Sequence, residues 1–183
     1  MKKLLTTSAI LASALALSAC QTTPTKGDLP AEVQPVLQAQ MQTVDVSQAH
    51  LGKMYLRPIQ GGVQVFGELT GLNPGSTYAI HIHENGTCAN KGQDAGGHFN
   101  ALNKPHGHPS SMESHAGDLP NITADANGVA RMNFVRKDIS VDPRVANTVH
   151  NRAFIIHAGA DDYTSQPAGN SGDRMACGVI EAY

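Results

Sequence analysis

Residues 84–118 run for 35 positions without the apolar spacing that a helix or a strand needs, yet the segments on either side have it. Connections that long inside a domain are uncommon and usually serve a function. A fold that accepts this sequence must therefore be a rigid scaffold made from the flanking segments, with the long stretch laid over it. The histidines gather there too: six of the chain's nine fall within residues 81–118. Neutral imidazole is a metal ligand or a base, and its charge changes near physiological pH, so this concentration needs a chemical reason.

The flanking segments read as short strands. VQVFGELTG (63–71) puts Val63, Val65, Gly67 and Leu69 on one face and closes at an Asn73-Pro74-Gly75 turn. YAIHIH (78–83) alternates again, and VARMNFV (129–135), RAFIIH (152–157) and the final CGVIEAY follow. Asp125-Ala126-Asn127-Gly128 predicts a hairpin, because Asn-Gly accepts the positive φ angles of a tight hairpin turn. No segment makes a convincing amphipathic helix. The 18 glycines and the 4% of aromatic residues, with no Trp, also suit short strands and tight turns. The expected architecture is all-β, an antiparallel sandwich or barrel with long loops, forming one domain over residues 41–183. With 13 basic against 15 acidic residues, the chain offers no footprint for nucleic acid.

The first residues belong to export rather than to the fold. Lys2 and Lys3 precede an apolar run over residues 4–17, too short to span a membrane comfortably, and then small residues suited to cleavage. Leu17-Ser18-Ala19-Cys20 resembles the bacterial lipobox, in which residues 1–19 are removed and the cysteine becomes a lipidated N-terminus. An ordinary secretory signal is the alternative. Gln21 after the cysteine favours, by the same resemblance, the outer membrane, with the domain facing the periplasm. Residues 20–40 are polar and proline-bearing and read as a tether. Three cysteines are an odd count for an exported chain. With Cys20 lipidated, Cys88 and Cys177 remain in an oxidising compartment, either as two free thiols or as a disulfide contributing about 3–5 kcal/mol.

On a strand, residues two apart share a face, so His81 and His83 project together while Ile80 and Ile82 face the other way. That is half of a metal site on a rigid support. His157 ends another strand and can approach across the sheet. The long stretch adds His98, His106, His115 and Asp118, at spacings of 8, 9 and 3, a three-imidazole and carboxylate set that suits tetrahedral zinc. Glycines beside these residues permit tight backbone turns.

HIHENGTC, AGGHFNALNKPHG, HAGDLPNI, IIHAGADDY and GNSGDRMACGVI together resemble the copper,zinc superoxide dismutases in order and spacing, over about residues 45–183. The resemblance implies a Greek-key, immunoglobulin-like sandwich, one copper and one zinc per chain, and superoxide as substrate. It implies copper bound by His81, His83, His98 and His157, with His98 also bridging to a zinc held by His106, His115 and Asp118. The chemistry of the donors agrees: an all-imidazole set suits copper, and a carboxylate-bearing set suits redox-inert zinc. By the same resemblance Asp161 orients ligands of both metals and Cys88 pairs with Cys177. Arg174 attracts the anionic substrate at the copper mouth, and His98 takes up a proton during turnover to dioxygen and hydrogen peroxide.

Tyr78-Ala79-Ile80 replaces the family's usual His-Gly-Phe run, Asp173 beside Arg174 stands where a small neutral residue is common, and His108 follows His106 where glycine is common. We read His108 as a solvated loop residue and His50 and His150 as surface residues. A non-enzymatic copper- and zinc-binding envelope lipoprotein of the same fold is the rival reading, but members of that kind typically lack a copper ligand or the channel arginine. The oligomeric state is left open by the sequence, a homodimer included. If Cys20 carries lipid, mass spectrometry of the mature N-terminus will find an acylated Cys20. Cys20→Ser is then expected to abolish membrane partition without changing dismutation by the folded domain.

Overall fold

The computed structural model describes residues 34–183. The expected leader (1–19), Cys20 and most of the expected tether (20–40) lie outside the described residues. The strand β1 (Leu37–Thr43), however, begins inside that tether, four residues before the expected domain boundary. Leu37, Ala39 and Met41 are buried while Gln40 is exposed, an alternation that favours sheet pairing over a linker.

The other strands are β2 (His50–Ile59), β3 (Gly62–Leu69), β4 (Thr77–Tyr78), β5 (Ile80–His83), β6 (Ile122–Thr123), β7 (Ala130–Arg136), β8 (Ala153–His157), β9 (Arg174–Val179) and β10 (Glu181–Ala182). Among the described residues the helical content is a single 3-10 turn, Gln93–Ala95. Eight strands form one antiparallel sheet in the order β5-β8-β9-β1-β2-β3-β7, with β10 also on β1. From β3 the chain crosses to β5 at the far edge, returns to β7 beside β3, and crosses back to β8 beside β5. These are the Greek-key crossovers of the expected all-β fold. Met54, Leu56 and Val65 from one end of the sheet share a single core with Ile80, Ile82, Phe154 and Ile156 from the other, so the sheet curls over itself.

The turn at residues 125–128 forms and closes as a hairpin turn does, with Gly128 N–H donating to the Asp125 carbonyl (3.0 Å) and Asp125 N–H to the Val129 carbonyl (2.9 Å), although the flanking short strands pair elsewhere. β6 pairs with β4 and β7 pairs with β3. Gly128 alone takes a positive φ, 75°, and the Asp125 carboxylate accepts from the N–H groups of Asn127 (2.8 Å) and Val129 (3.1 Å). The turn is thus the aspartate-capped form with one left-handed glycine, not the primed two-residue form with two positive φ angles.

The site is positioned on the outer side of β5 and β8. Ile80, Ile82, Phe154 and Ile156 face the main core, whereas Ala153 and Ile155 belong to a separate small cluster with Ala95 and Cys177. His83 lies opposite Ala153 and His81 opposite Ile155, so both imidazoles share that outer face. The long loop then covers it. Ile82 donates to the Gly117 carbonyl at 2.9 Å and accepts from the Phe99 N–H at 2.8 Å, and Glu84 donates to Gly97 at 3.0 Å. An edge strand with unpaired backbone groups is thereby closed. The Cys88–Cys177 disulfide, with Cα atoms 5.7 Å apart, ties the same loop to β9.

Gly117 permits this docking because a Cβ there would run into the Ile82 carbonyl and meet the Phe99 nitrogen at 2.9 Å. Gly117→Ala is accordingly expected to lower unfolding stability by about 1–3 kcal/mol, read as a lower urea midpoint.

Candidate metal centre

β5, the end of β8 and the loop bonded to β5 bring seven donor residues into two overlapping groups. His81, His83, His98 and His157 form one; His98, His106, His115 and Asp118 form the other. In each group the donor atoms lie within 4.8 Å of one another, and every member is buried. All seven residues singled out from the sequence are therefore in place, and His98 belongs to both groups.

Hydrogen bonds settle which nitrogen each ring has available. His83 Nδ1 donates to the Gly96 carbonyl (2.9 Å) and His157 Nδ1 to the Gly172 carbonyl (3.0 Å), which leaves their Nε2 atoms as lone-pair donors, 3.4 Å apart. His81 Nε2 bonds to Asp161 Oδ2 at 2.8 Å, and its buried Nδ1 has no partner. His98 Nε2 is likewise buried and unpartnered. Buried polar nitrogens are rarely left unsatisfied, and two such atoms beside two converging lone pairs fit a bound cation with an all-imidazole shell.

On the other side, Nδ1 of His98, His106 and His115 approaches Asp118 Oδ1 at 2.8, 3.0 and 3.4 Å. Three imidazole nitrogens crowd one oxygen poorly as hydrogen bonds but suit four ligands around one cation. Asp118 is oriented for this by its second oxygen, which accepts from the N–H groups of Gly107 (3.1 Å) and His115 (3.0 Å). Asp161 completes the arrangement. One of its oxygens bonds His81 and the other bonds His106 Nε2 at 2.9 Å, so one carboxylate holds a ring of each group.

Electrostatics favour neutral, metal-ready rings in the first group. Burial, helped by the neighbouring imidazoles, lowers His81 to about 3, His83 to about 2 and His157 to about 4. Burial lowers His98 as well. His106 goes the other way: burial opposes the charge, but hydrogen bonds to Asp118 and Asp161 outweigh it and raise the ring to about 9. Burial likewise pushes against ionised Asp118, yet the surrounding imidazoles hold it well below the usual carboxylate range.

Arg174 is half-buried at the start of β9. Its guanidinium donates to the carbonyls of Gly92, Gln93 (3.2 Å) and Gly96 (2.6 Å), and its charge acts on His83 and His157. A cavity of about 350 Å³ opens here, lined by His83, Glu84, His98, His157, Arg174 and neighbouring residues. A larger one, about 500 Å³, lies over the disulfide and contains no ligand residue. The Asp173 side chain is exposed and is not among the residues lining the smaller cavity. His108 is exposed, bonded to Ser110 (2.7 Å) and outside both groups; His50 is also exposed.

Two supports escaped the sequence reading. The Asn121 side chain donates to the Asp161 carbonyl (2.9 Å) and accepts from its N–H (2.9 Å), and Gln166 clamps the N–H and carbonyl of His106 in the same way, both at 2.8 Å. Neither has a spacing signal, because each acts on backbone 40 or 60 residues away.

A curled antiparallel sheet with two sets of metal-type donors that share one histidine is the frame of a dinuclear, all-β metalloprotein. The family model for copper/zinc superoxide dismutase (SODC) matches residues 43–180. The chain is 37% identical over 148 residues to superoxide dismutase (Cu-Zn) 2 of Aquifex aeolicus, covering 79% of this chain and 86% of that one. It is 36% identical over 195 residues to superoxide dismutase (Cu-Zn) of Deinococcus radiodurans, covering 100% and 99%. The crystal structure of a SOD-like protein from Bacillus subtilis superposes with a TM-score of 0.70 at 33% identity, covering 78% of this chain and 96% of that one. The chain belongs to the copper/zinc superoxide dismutase family. It is a superoxide dismutase that binds copper and zinc.

The pKa shifts set a pH dependence for the metal-free domain. His81, His83 and His157 take up protons near pH 6.5 when unfolded but only at about 3, 2 and 4 when folded. The unfolded state therefore binds more protons as pH falls from 6.5 toward 4, and the fold loses about 1.4 kcal/mol per pH unit for each fully differing proton. His106 contributes oppositely, its stabilisation being present below 6.5 and lost as pH rises through 9. Thermal melts of metal-free protein are expected to fall steeply between pH 6.5 and 4, and melts of metal-loaded protein to stay flatter until the ligands protonate.

Proposed function

We propose that superoxide is dismutated at the His81, His83, His98 and His157 set, with copper there and zinc held by His98, His106, His115 and Asp118. The observation that carries this is His98, whose Nδ1 faces Asp118 while its Nε2 is a buried atom with no protein partner. Two superoxide ions and two protons yield one dioxygen and one hydrogen peroxide. Copper, when bound, supplies the one-electron redox chemistry, while zinc supplies fixed charge without redox activity.

The chain's own residues do the rest. His83 and His157 are held by backbone carbonyls in the tautomer that offers Nε2. Asp161 keeps His81 and His106 in register, so the two sets hold one another's geometry. His98 belongs to both sets and can hold a proton at Nε2, one of the two buried ring nitrogens with no competing hydrogen bond, while Nδ1 stays on the Asp118 side. Arg174 keeps its charge at any working pH and has no lone pair to offer a metal. Its role is to draw a small anion into the cavity that it lines with His83, His98 and His157.

The same proposal places the domain in the bacterial cell envelope, anchored through lipid on Cys20 and facing the periplasm from the outer membrane. The lipobox-like Leu17-Ser18-Ala19-Cys20 and the following Gln21 support that location.

Field focusing in a charged cleft raises encounter rates by about 10–1000-fold, and this family is itself a standard example of that effect. Removing one contributor, Arg174→Ala, is expected to leave both metals bound while lowering the second-order rate with superoxide by about tenfold and flattening its salt dependence. Asp173→Ser is expected to raise the rate modestly. Pulse radiolysis at low salt on fully metal-loaded protein makes the measurement. Wild-type rates in Arg174→Ala would remove the steering role, and copper uptake without dismutation in the parent chain would favour a metal store.

A further inference from the structure

Arg136, at the end of β7, is 2% exposed and takes no part in the chemistry described above. A buried guanidinium is costly unless its donors are satisfied, and this one is heavily engaged. Its Nε and Nη2 fork onto the Asp138 carboxylate at 2.6 and 3.0 Å. Its other contacts leave the sheet for the loop. Nη2 also donates to the His115 carbonyl (2.7 Å) and the Ser114 hydroxyl (3.1 Å), and Nη1 to the Pro109 carbonyl (2.5 Å). All three acceptors lie in residues 109–115, the segment that ends at a proposed ligand. Arg136 itself is paired with Val63 in the β3–β7 ladder, so the guanidinium is presented by the rigid sheet.

We infer that Arg136 is a positioning residue for the His98, His106, His115 and Asp118 set. It anchors residues 109–115 to the sheet, fixes the backbone from which the His115 ring projects, and so sets zinc affinity without touching zinc. The same anchoring carries over to Asp118, whose Oδ2 accepts from the His115 N–H at 3.0 Å. The copper-side rings are held instead by Gly96, Gly172 and Asp161, none of which Arg136 contacts. Its direct contacts are therefore all on the zinc side, and any effect on the copper side passes only through the shared His98 and Asp161. A lysine could keep the charge opposite Asp138, but its single ammonium cannot serve a carboxylate, two carbonyls and a hydroxyl from one planar fork.

The inference rests on zinc occupying that set, and the experiment separates the two. Zinc affinity is measured by chelator competition in the parent chain, His115→Ala, Arg136→Lys and Ser114→Ala, with copper affinity and the cobalt(II) absorption spectrum of the zinc set recorded alongside. The parent should bind zinc and His115→Ala should lose it; a parent whose zinc binding ignores His115→Ala would refute the metal assignment itself. Arg136→Lys is expected to weaken zinc binding by about 10–100-fold and to alter the cobalt spectrum, with a clearly smaller change in copper affinity. Ser114→Ala, which removes one contact, is expected to weaken zinc binding by about 2–10-fold. Zinc affinity in Arg136→Lys equal to the parent's, or an equal loss of both metals with a lower melting temperature, would overturn the positioning role. If Arg136→Lys does not fold, Ser114→Ala decides: parental zinc affinity there counts against the anchor.

Discussion

The backbone bonds that close the long loop onto Ile82 are the constraint on which the rest of the structure depends. Ile82 gives its N–H to Gly117 and its carbonyl to Phe99, so the loop becomes an added strand-like layer beside β5. His81 and His83 flank Ile82 on one side, and the loop residues next to the contacts, His98 and Asp118, bridge to them across the edge. One pair of hydrogen bonds thus brings together residues that are 15 and 37 positions apart in the chain. The Cys88–Cys177 disulfide then limits how far the loop can lift away.

Burial turns that proximity into chemistry. Imidazoles in a polar loop would protonate near neutrality and repel one another. Enclosed between the outer face of β5–β8 and the loop, His81, His83 and His157 are pushed toward the neutral form, so their lone pairs are available at physiological pH. The two carboxylates do the opposite work in the set that contains Asp118. Asp118 and Asp161 favour charge on His106, so that side accepts a cation where the loop would otherwise hold a proton. Asp161 spans both sides, which couples the geometry of one set to the other.

Much of this was legible beforehand. Period-two patterning over residues 63–69 and 78–83 marked real strands, because an alternating face buried on one side is a local property of the chain. The seven donor residues that cluster, Asp161 and the Cys88–Cys177 pair are marked by residue type and spacing together with the family resemblance. The departures have local causes too. Residues 37–40 read as tether because polar Gln38 and Gln40 masked the buried alternation of Leu37 and Ala39, and the 125–128 turn closes as read but with a positive φ at Gly128 alone, because the Asp125 carboxylate caps it.

By itself the sequence determined which groups could bind a metal and which strands could carry them, since side-chain chemistry and strand periodicity are properties of residues and of near neighbours. Only the tertiary structure decided which nitrogen of each ring is free, because that depends on a hydrogen bond to a distant carbonyl or carboxylate. His83 looks to Gly96, His157 to Gly172 and His81 to Asp161, 80 residues away. The supports of Asn121, Gln166 and Arg136 are of the same kind. Each acts on backbone or on small side-chain groups that the fold brings within about 3 Å, and no spacing rule along the chain encodes such a contact.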